Sequence, residues 1–183
     1  MSANTEKQDL RIKKTHKALK SALLSLLSQR RFDKITVNDL CEEAVISRTA
    51  FYDHFEDKYA LLKFSLETIK QDIEDYGREH TDSENIVNMN EYIRKNGKLL
   101  KNLIDESNTE VMNILIGLLT SDVHNKLCAD ENLSAYDQAL VNFCAGGLAN
   151  LLLWQLKNNF PMESSDLGEY IDKLLKKLKD SRA

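Results

Sequence analysis

One proline and six glycines in 183 residues leave this chain with almost no turn punctuation. Sandwiches, barrels and βαβ arrays need a turn about every dozen residues. The expected fold is therefore all-α, and no strand pattern, repeat or low-complexity tract stands against it. Hydrophobic residues make up 42% and charged residues 30%, a balance that supports a packed core without disulfides or metals as staples.

Helical periodicity runs through the chain. Ile12, Leu19, Leu23 and Leu26 form the first stripe and predict a helix over 8–29. Thr36-Val-Asn-Asp39 is a capping box that opens a short helix over 37–43. Ser47 is placed to cap a third over 48–53, and Asp57 a fourth that begins at Lys58 and carries Leu62, Leu66, Ile69, Ile73 and Tyr76. A polar stretch over 77–84 reads as a loop. Further helices are predicted over 86–95, 98–105, 111–127 and 135–159, with Asn96-Gly97 as a turn. Phe160-Pro161 ends the longest, and Ser165 or Asp166 opens the last, striped by Leu167, Tyr170, Ile171, Leu174, Leu175 and Leu178.

The charge is polarised. The net value is −4, yet residues 1–64 carry 12 Lys/Arg against 9 Asp/Glu, and residues 10–34 carry eight basic residues against one acid. A basic N-terminal third on an acidic remainder fits a small anion-binding module joined to a body that does not touch the anion, with a solvated helix face as the plain alternative. At the other end, residues 138–156 contain no charge at all. Gln138, Asn142, Asn150, Gln155 and the pair Gly146-Gly147 interrupt this run, so it reads as a helix buried on two faces rather than a membrane span. One face would meet the chain's own core and the other a second subunit. The two glycines cost about 1 kcal/mol each relative to Ala, which suggests either close helix approach or a kink.

Residues 36–55, TVNDLCEEAVISRTAFYDHF, carry the functional signal. Two short helices joined by a tight turn describe a helix-turn-helix. The leading residues of the second, Arg48, Thr49 and Ala50, are those that enter a major groove, and Arg can bond guanine O6 and N7 together. Thr36 and Ser47 offer hydroxyls and helix N-termini to phosphates. Tyr52, His54 and Lys58 are further phosphate donors, while Phe51 and Phe55 should face inward. Each also has a plain structural alternative: a packing tyrosine, a core histidine, a solvated lysine.

The run from Thr36 to Leu62, with Phe51-Tyr-Asp-His-Phe55 followed by Asp57-Lys58-Tyr-Ala-Leu61, resembles the DNA-binding domain of the TetR family of bacterial regulators. The likeness covers about residues 8–64. It implies phosphate contacts at Thr36, Ser47, Tyr52, His54 and Lys58, and base reading at Arg48, Thr49 and Ala50. Ala145-Gly-Gly147 and Trp154 are similar to a branch of the family that includes regulators of dihydroxyacetone kinase operons. Val45 stands where the family's turn has Gly; since a β-branched residue rarely tolerates positive φ, a turn with negative φ is expected.

The expected organisation is a helix-turn-helix domain over 1–56 and a helical regulatory and dimerisation domain over 57–183. The expected protein is a cytoplasmic, homodimeric regulator, a repressor that binds a palindromic double-stranded DNA operator. A small-molecule effector releases it by moving the fourth helix and the spacing of the two recognition helices. The alternative is a regulator or activator controlled by a partner protein. Tyr92, Met112, Phe143 and Trp154 are the candidates for an effector pocket, with core packing as the alternative for each. No nucleophile elbow, phosphate loop or metalloprotease motif occurs, so no enzyme is expected. Histidines 16, 80 and 124 lack ligand spacing, and no metal or cofactor is expected. The three cysteines, an odd number without C-x-x-C, read as inert buried thiols of a reducing compartment, and residues 1–14 lack the apolar stretch of an export signal.

Overall fold

The computed structural model describes residues 2–76, 87–88, 91–92, 94–104, 108–127 and 134–180. Its helices are α1 (Ser2–Gln29), α2 (Val37–Ala44), α3 (Arg48–Tyr52), α4 (Lys58–Tyr76), α5 (Gly97–Leu103), α6 (Thr109–Leu127), α7 (Ala135–Lys157) and α8 (Ser164–Asp180), with a 3-10 turn at Phe32–Lys34. No strand occurs among the described residues. The fold is all-α. The loop expected over 77–84, His80, Cys128 and part of the helix expected over 86–95 lie outside the described residues.

Two compact units result. The first joins Met1–Thr68 to Lys98–Asn108, the second Ile69–Gly97 to Thr109–Ala183. The boundary expected after residue 56 falls inside α4 instead. The reason is burial: Leu61, Leu62 and Ser65 on the first turns of α4 are almost wholly enclosed in the first unit. Residues 98–108 join it too, with Leu103 buried and Asn102 Nδ2 donating to the Leu27 carbonyl at 2.8 Å.

In the first unit the apolar stripe of α1 supplies Leu19, Leu23 and Leu27, closed over by Phe32, Ile35, Leu40, Phe51, Leu61 and Leu62. Each such side chain contributes about 1.5–3 kcal/mol on burial. α1 starts earlier than its stripe predicts, at Ser2 rather than 8, because nothing in Ser2–Lys7 breaks a helix. Phe32 plugs the base of the unit from the 3-10 turn, its ring edge-on to Tyr59 at 5.3 Å.

In the second unit α6 packs along α7. Val123, Val141, Cys144 and Ala145 form the core, flanked by Leu119, Leu140, Leu148 and Leu178. A capping box between Ser134 and Asp137 starts α7. α7 is long and apolar enough to cross a membrane by length and composition. Among the described residues, Gly146 and Gly147 have nothing within 4 Å of where a Cβ would stand, so they mark no close helix approach there. Beyond α7, Asn159 and Phe160 both adopt left-handed backbone, φ 56 and 58.

Candidate nucleic-acid interface

α2 is fixed at both ends. The Thr36 hydroxyl accepts from the Asp39 amide at 3.2 Å and donates to Asp39 Oδ2 at 2.7 Å, while the Thr36 amide donates to the same carboxylate at 2.8 Å. Arg30 pairs with Asp39 at 2.9 Å. The Thr36 contacts first, then Arg30, hold the Asp39 carboxyl at a pKa of about 2. The Thr36 hydroxyl is thereby engaged in the cap.

The C-terminus of α2 forms a Schellman turn. Val45 N–H donates to the Glu42 carbonyl at 3.2 Å and Ile46 N–H to that of Cys41 at 3.0 Å. This pattern requires a left-handed residue, and Val45 takes it at φ 56, ψ 48. The expectation of negative φ is corrected: two hydrogen bonds and the approach angle of α3 override the preference of a β-branched side chain. Val45 is 89% exposed, so its methyls pack on nothing in return.

α3 follows at once. Ser47 accepts from the Ala50 amide at 3.1 Å, capping the helix. Phe51 is wholly buried and Phe55 nearly so, as their spacing predicts. Their burial leaves Ser47, Arg48, Thr49 and Tyr52 exposed, with Ala50 partly so. The Arg48 guanidinium stands 5.9 Å from the Tyr52 ring centroid. This face presents one mobile cation, two hydroxyls and a phenol.

Two residues sit differently from their expected places. Lys58, expected as a phosphate donor, sends its Nζ to the carbonyls of Phe32 at 2.9 Å, Asp33 at 3.3 Å and Ile35 at 2.8 Å, over the Phe32 ring. An ammonium has three donors, and all three are taken. Burial lowers its pKa. His54 is half-buried, edge-on to His16 of α1 at 5.0 Å. His16 also touches Phe55 at 5.0 Å and Phe64 at 4.7 Å, and burial followed by the nearby His54 lowers its pKa. Sequence reasoning passed over His16 except as a metal ligand. Its signal was its position on the stripe between Ile12 and Leu19.

The pocket candidates do not form one group. Phe143 is 76% exposed and Trp154 44%, both on the outer face of α7. The α7 positions facing the core are Val141, Cys144 and Ala145. Tyr92 and Met112 are half-buried, and burial, with Asp72 nearby, raises the Tyr92 pKa. Cys41 and Cys144 are buried, with thiols pushed up by burial. No group of metal-binding side chains occurs among the described residues.

A capped helix-turn-helix with an exposed, polar second helix defines a DNA-binding regulator of the helix-turn-helix class. Residues 20–63 match the family described as "Bacterial regulatory proteins, tetR family". The N-terminal module thus matches the DNA-binding domain of the TetR family of transcriptional regulators, set in an all-α chain. Over 53 residues the chain is 36% identical to an uncharacterized HTH-type transcriptional regulator, YxbF, of Bacillus subtilis (strain 168). That match takes in 29% of this chain and 14% of the relative's length. Two solved structures share the fold across most of the chain. A TetR transcriptional regulator from Streptococcus agalactiae 2603V superposes with a TM-score of 0.65 at 24% identity, covering 93% of this chain and 98% of that one. The dihydroxyacetone kinase operon activator DhaS superposes with a TM-score of 0.59 at 15% identity, covering 91% and 96%. These relatives are regulators, not enzymes.

Proposed function

We propose that the chain is a cytoplasmic transcriptional repressor that binds a palindromic operator as a homodimer and is released by a small-molecule effector. The observation that carries the DNA reading is the exposed face of α3, Ser47 to Tyr52, held by the buried Phe51 and the caps at Thr36 and Ser47. In this reading Arg48 and Thr49 reach base edges, with Ala50 beside them. Ser47, Tyr52 and His54 meet phosphates, and Thr36 presents its helix terminus to one. Lys58 acts through the turn it holds and makes no phosphate contact of its own.

The homodimer is supported by an outer face of α7 that carries Tyr136, Phe143, Gly147 and Trp154 without a charge, and by Tyr170 and Leu174 exposed on α8. Apolar side chains this large and this exposed gain by meeting a second copy. Two recognition helices would then read half-sites one helical turn apart, and an effector acting through α4 would change that spacing.

Selection of duplexes from a random pool, followed by Arg48→Ala, tests the reading. A palindromic site should emerge. Arg48→Ala should cost about 1–3 kcal/mol on that site and relax one base pair in each half. Equal weakening on selected and random duplexes would make Arg48 a phosphate contact, and a pool that yields no site would reject the function.

A further inference from the structure

The proposed interface uses none of the eight basic residues between positions 10 and 34. The structure divides them. Arg30 pairs with Asp39 at 2.9 Å, and Arg31 and Lys34 pair with Asp33 at 3.2 and 3.4 Å. Those three cations have carboxylate partners within the fold, Arg31 and Lys34 sharing Asp33. Lys13, Lys14 and Lys17 are exposed, and among the described residues none of them makes an ion pair. The acids of the α3–α4 corner, Asp53, Glu56 and Asp57, form no ion pair with them either.

Their place on α1 is fixed by His16. Lys13 stands one turn before it and Lys17 beside it, and Lys14 continues the arc towards the far face of the helix. His16 touches His54, two residues past the exposed Tyr52 of α3. Of the arc, Lys13 and Lys17 are therefore nearest the C-terminal end of the recognition helix. The buried stripe of α1 starts only at Leu19, so the helix before it carries little core. A helix segment of that length has marginal stability in water by itself. A row of unpaired cations beside a groove-reading helix is complementary to one thing: the phosphodiester backbone that continues past the bases the helix reads.

We propose that Lys13, Lys14 and Lys17 form a second DNA-contact site, which grips backbone phosphates flanking each half-site. The site rests on the DNA-binding reading above and extends it beyond the helix-turn-helix. Its role is sequence-independent. It strengthens binding and lengthens the occupied duplex without altering which bases are preferred.

The test uses the full chain and a duplex selected from a random pool, with binding measured over a range of potassium chloride concentrations. Each neutralised phosphate contributes about 0.9 to the salt slope. The triple variant Lys13→Gln, Lys14→Gln, Lys17→Gln should lose roughly two to three units of slope and bind at least about tenfold more weakly near physiological salt. Its preferred sequence should stay the same. Trimming the flanks of the duplex should reduce the slope of the parent and leave that of the variant unchanged. Arg31→Gln, a charge change at a paired residue, should leave the slope as it is. Gln keeps helix propensity, and an unchanged melting temperature shows that the variant is folded. If the parent binds its selected duplex and the triple variant binds it with the same affinity and slope, the lysine site is rejected while the helix-turn-helix reading stands. A parent that selects no duplex rejects both. An equal loss of slope in Arg31→Gln rejects the site in favour of general charge. Phosphatidylserine vesicles bound by the parent and not by the variant, with DNA binding unaltered, would assign the arc to a membrane surface instead.

Discussion

The two units of this chain handle their own chemical groups in opposite ways. In the first, Thr36 and Asp39 cap each other, Ser47 holds the Ala50 amide, and Lys58 closes three carbonyls. In the second, Gln155 is wholly buried, and among the described residues neither its Nε2 nor the buried Arg94 Nε finds an acceptor. Tyr136 and Phe143 stand 89% and 76% exposed. The first unit is complete as one copy of the chain. Among the described residues, the second leaves buried donors and large exposed apolar side chains without partners, as the proposed dimer and effector would require.

The same substitution in each unit sharpens this difference. Phe51→Ala empties a fully enclosed site and should cost about 3–5 kcal/mol at every protein concentration, read by urea unfolding. Phe143→Ala removes a ring that the single chain leaves in water. It should leave a dilute sample unchanged and lower stability only where the parent is dimeric, so that the concentration dependence of the melting temperature shrinks. A loss from Phe143→Ala that is independent of concentration would end the contrast.

Lys58 separates structure from DNA contact within the first unit. Lys58→Met keeps the stem over Phe32 and removes the ammonium from its three carbonyls. Hydrogen bonds to a charged group are worth about 1.5–3 kcal/mol net, and a loss in that range is expected. The salt slope of DNA binding should stay unchanged. A slope lowered by about one unit, with stability intact, would return Lys58 to the phosphates.

Asp39 gives a smaller effect with a defined pH sense. Its folded pKa of about 2 lies below the ordinary aspartate value near 3.9. A depressed carboxylate contributes stability that is present above the unfolded value and lost as pH falls through the folded one. The window therefore runs from about pH 4 down to about pH 2. Because the carboxylate and its Arg30 partner are still partly open to water, its contribution is about 1 kcal/mol or less. Unfolding of Asp39→Asn beside the parent should differ at pH 5 to 6 and converge by about pH 2. A constant difference across that range would assign the effect to the lost Arg30 contact or to packing alone.

Much of the first unit was legible in the sequence because its signals are local. The capping box at Thr36, the cap at Ser47 and the inward pair Phe51 and Phe55 depend on spacings of three and four, which a helix converts directly into contacts. The carbonyl partners of Lys58 were not legible because they lie some 25 residues away around a 3-10 turn, and no spacing encodes that. That residues 98–108 join the first unit was not legible for the same reason, since Asn102 reaches Leu27 from there. The outward placement of Phe143 and Trp154 was not legible because an uncharged helix shows no polar side. Periodicity then cannot tell its core face from its open one.

The smallest expected effect sits at the turn between α2 and α3. Val45 at φ 56 carries the Cβ clash of a left-handed L-residue, roughly 1–2 kcal/mol. Val45→Gly removes it. The glycine also gives the unfolded chain more freedom, about 0.4–1 kcal/mol in the opposite sense. At 89% exposure the valine buries almost no apolar surface, so little packing is lost. The net expectation is a gain of about 0.5–1 kcal/mol. Both amide bonds of the Schellman turn survive, because Gly keeps its N–H and Ile46 is untouched. Urea unfolding of Val45→Gly should therefore show a higher midpoint with an unchanged slope. Affinity for a selected duplex should change little, since the angle of α3 is set by the turn and not by the valine methyls. A destabilised Val45→Gly would mean that this turn relaxes in solution to negative φ. A stabilised variant with weakened DNA binding would show that the methyls of Val45 themselves touch the duplex, next to Arg48.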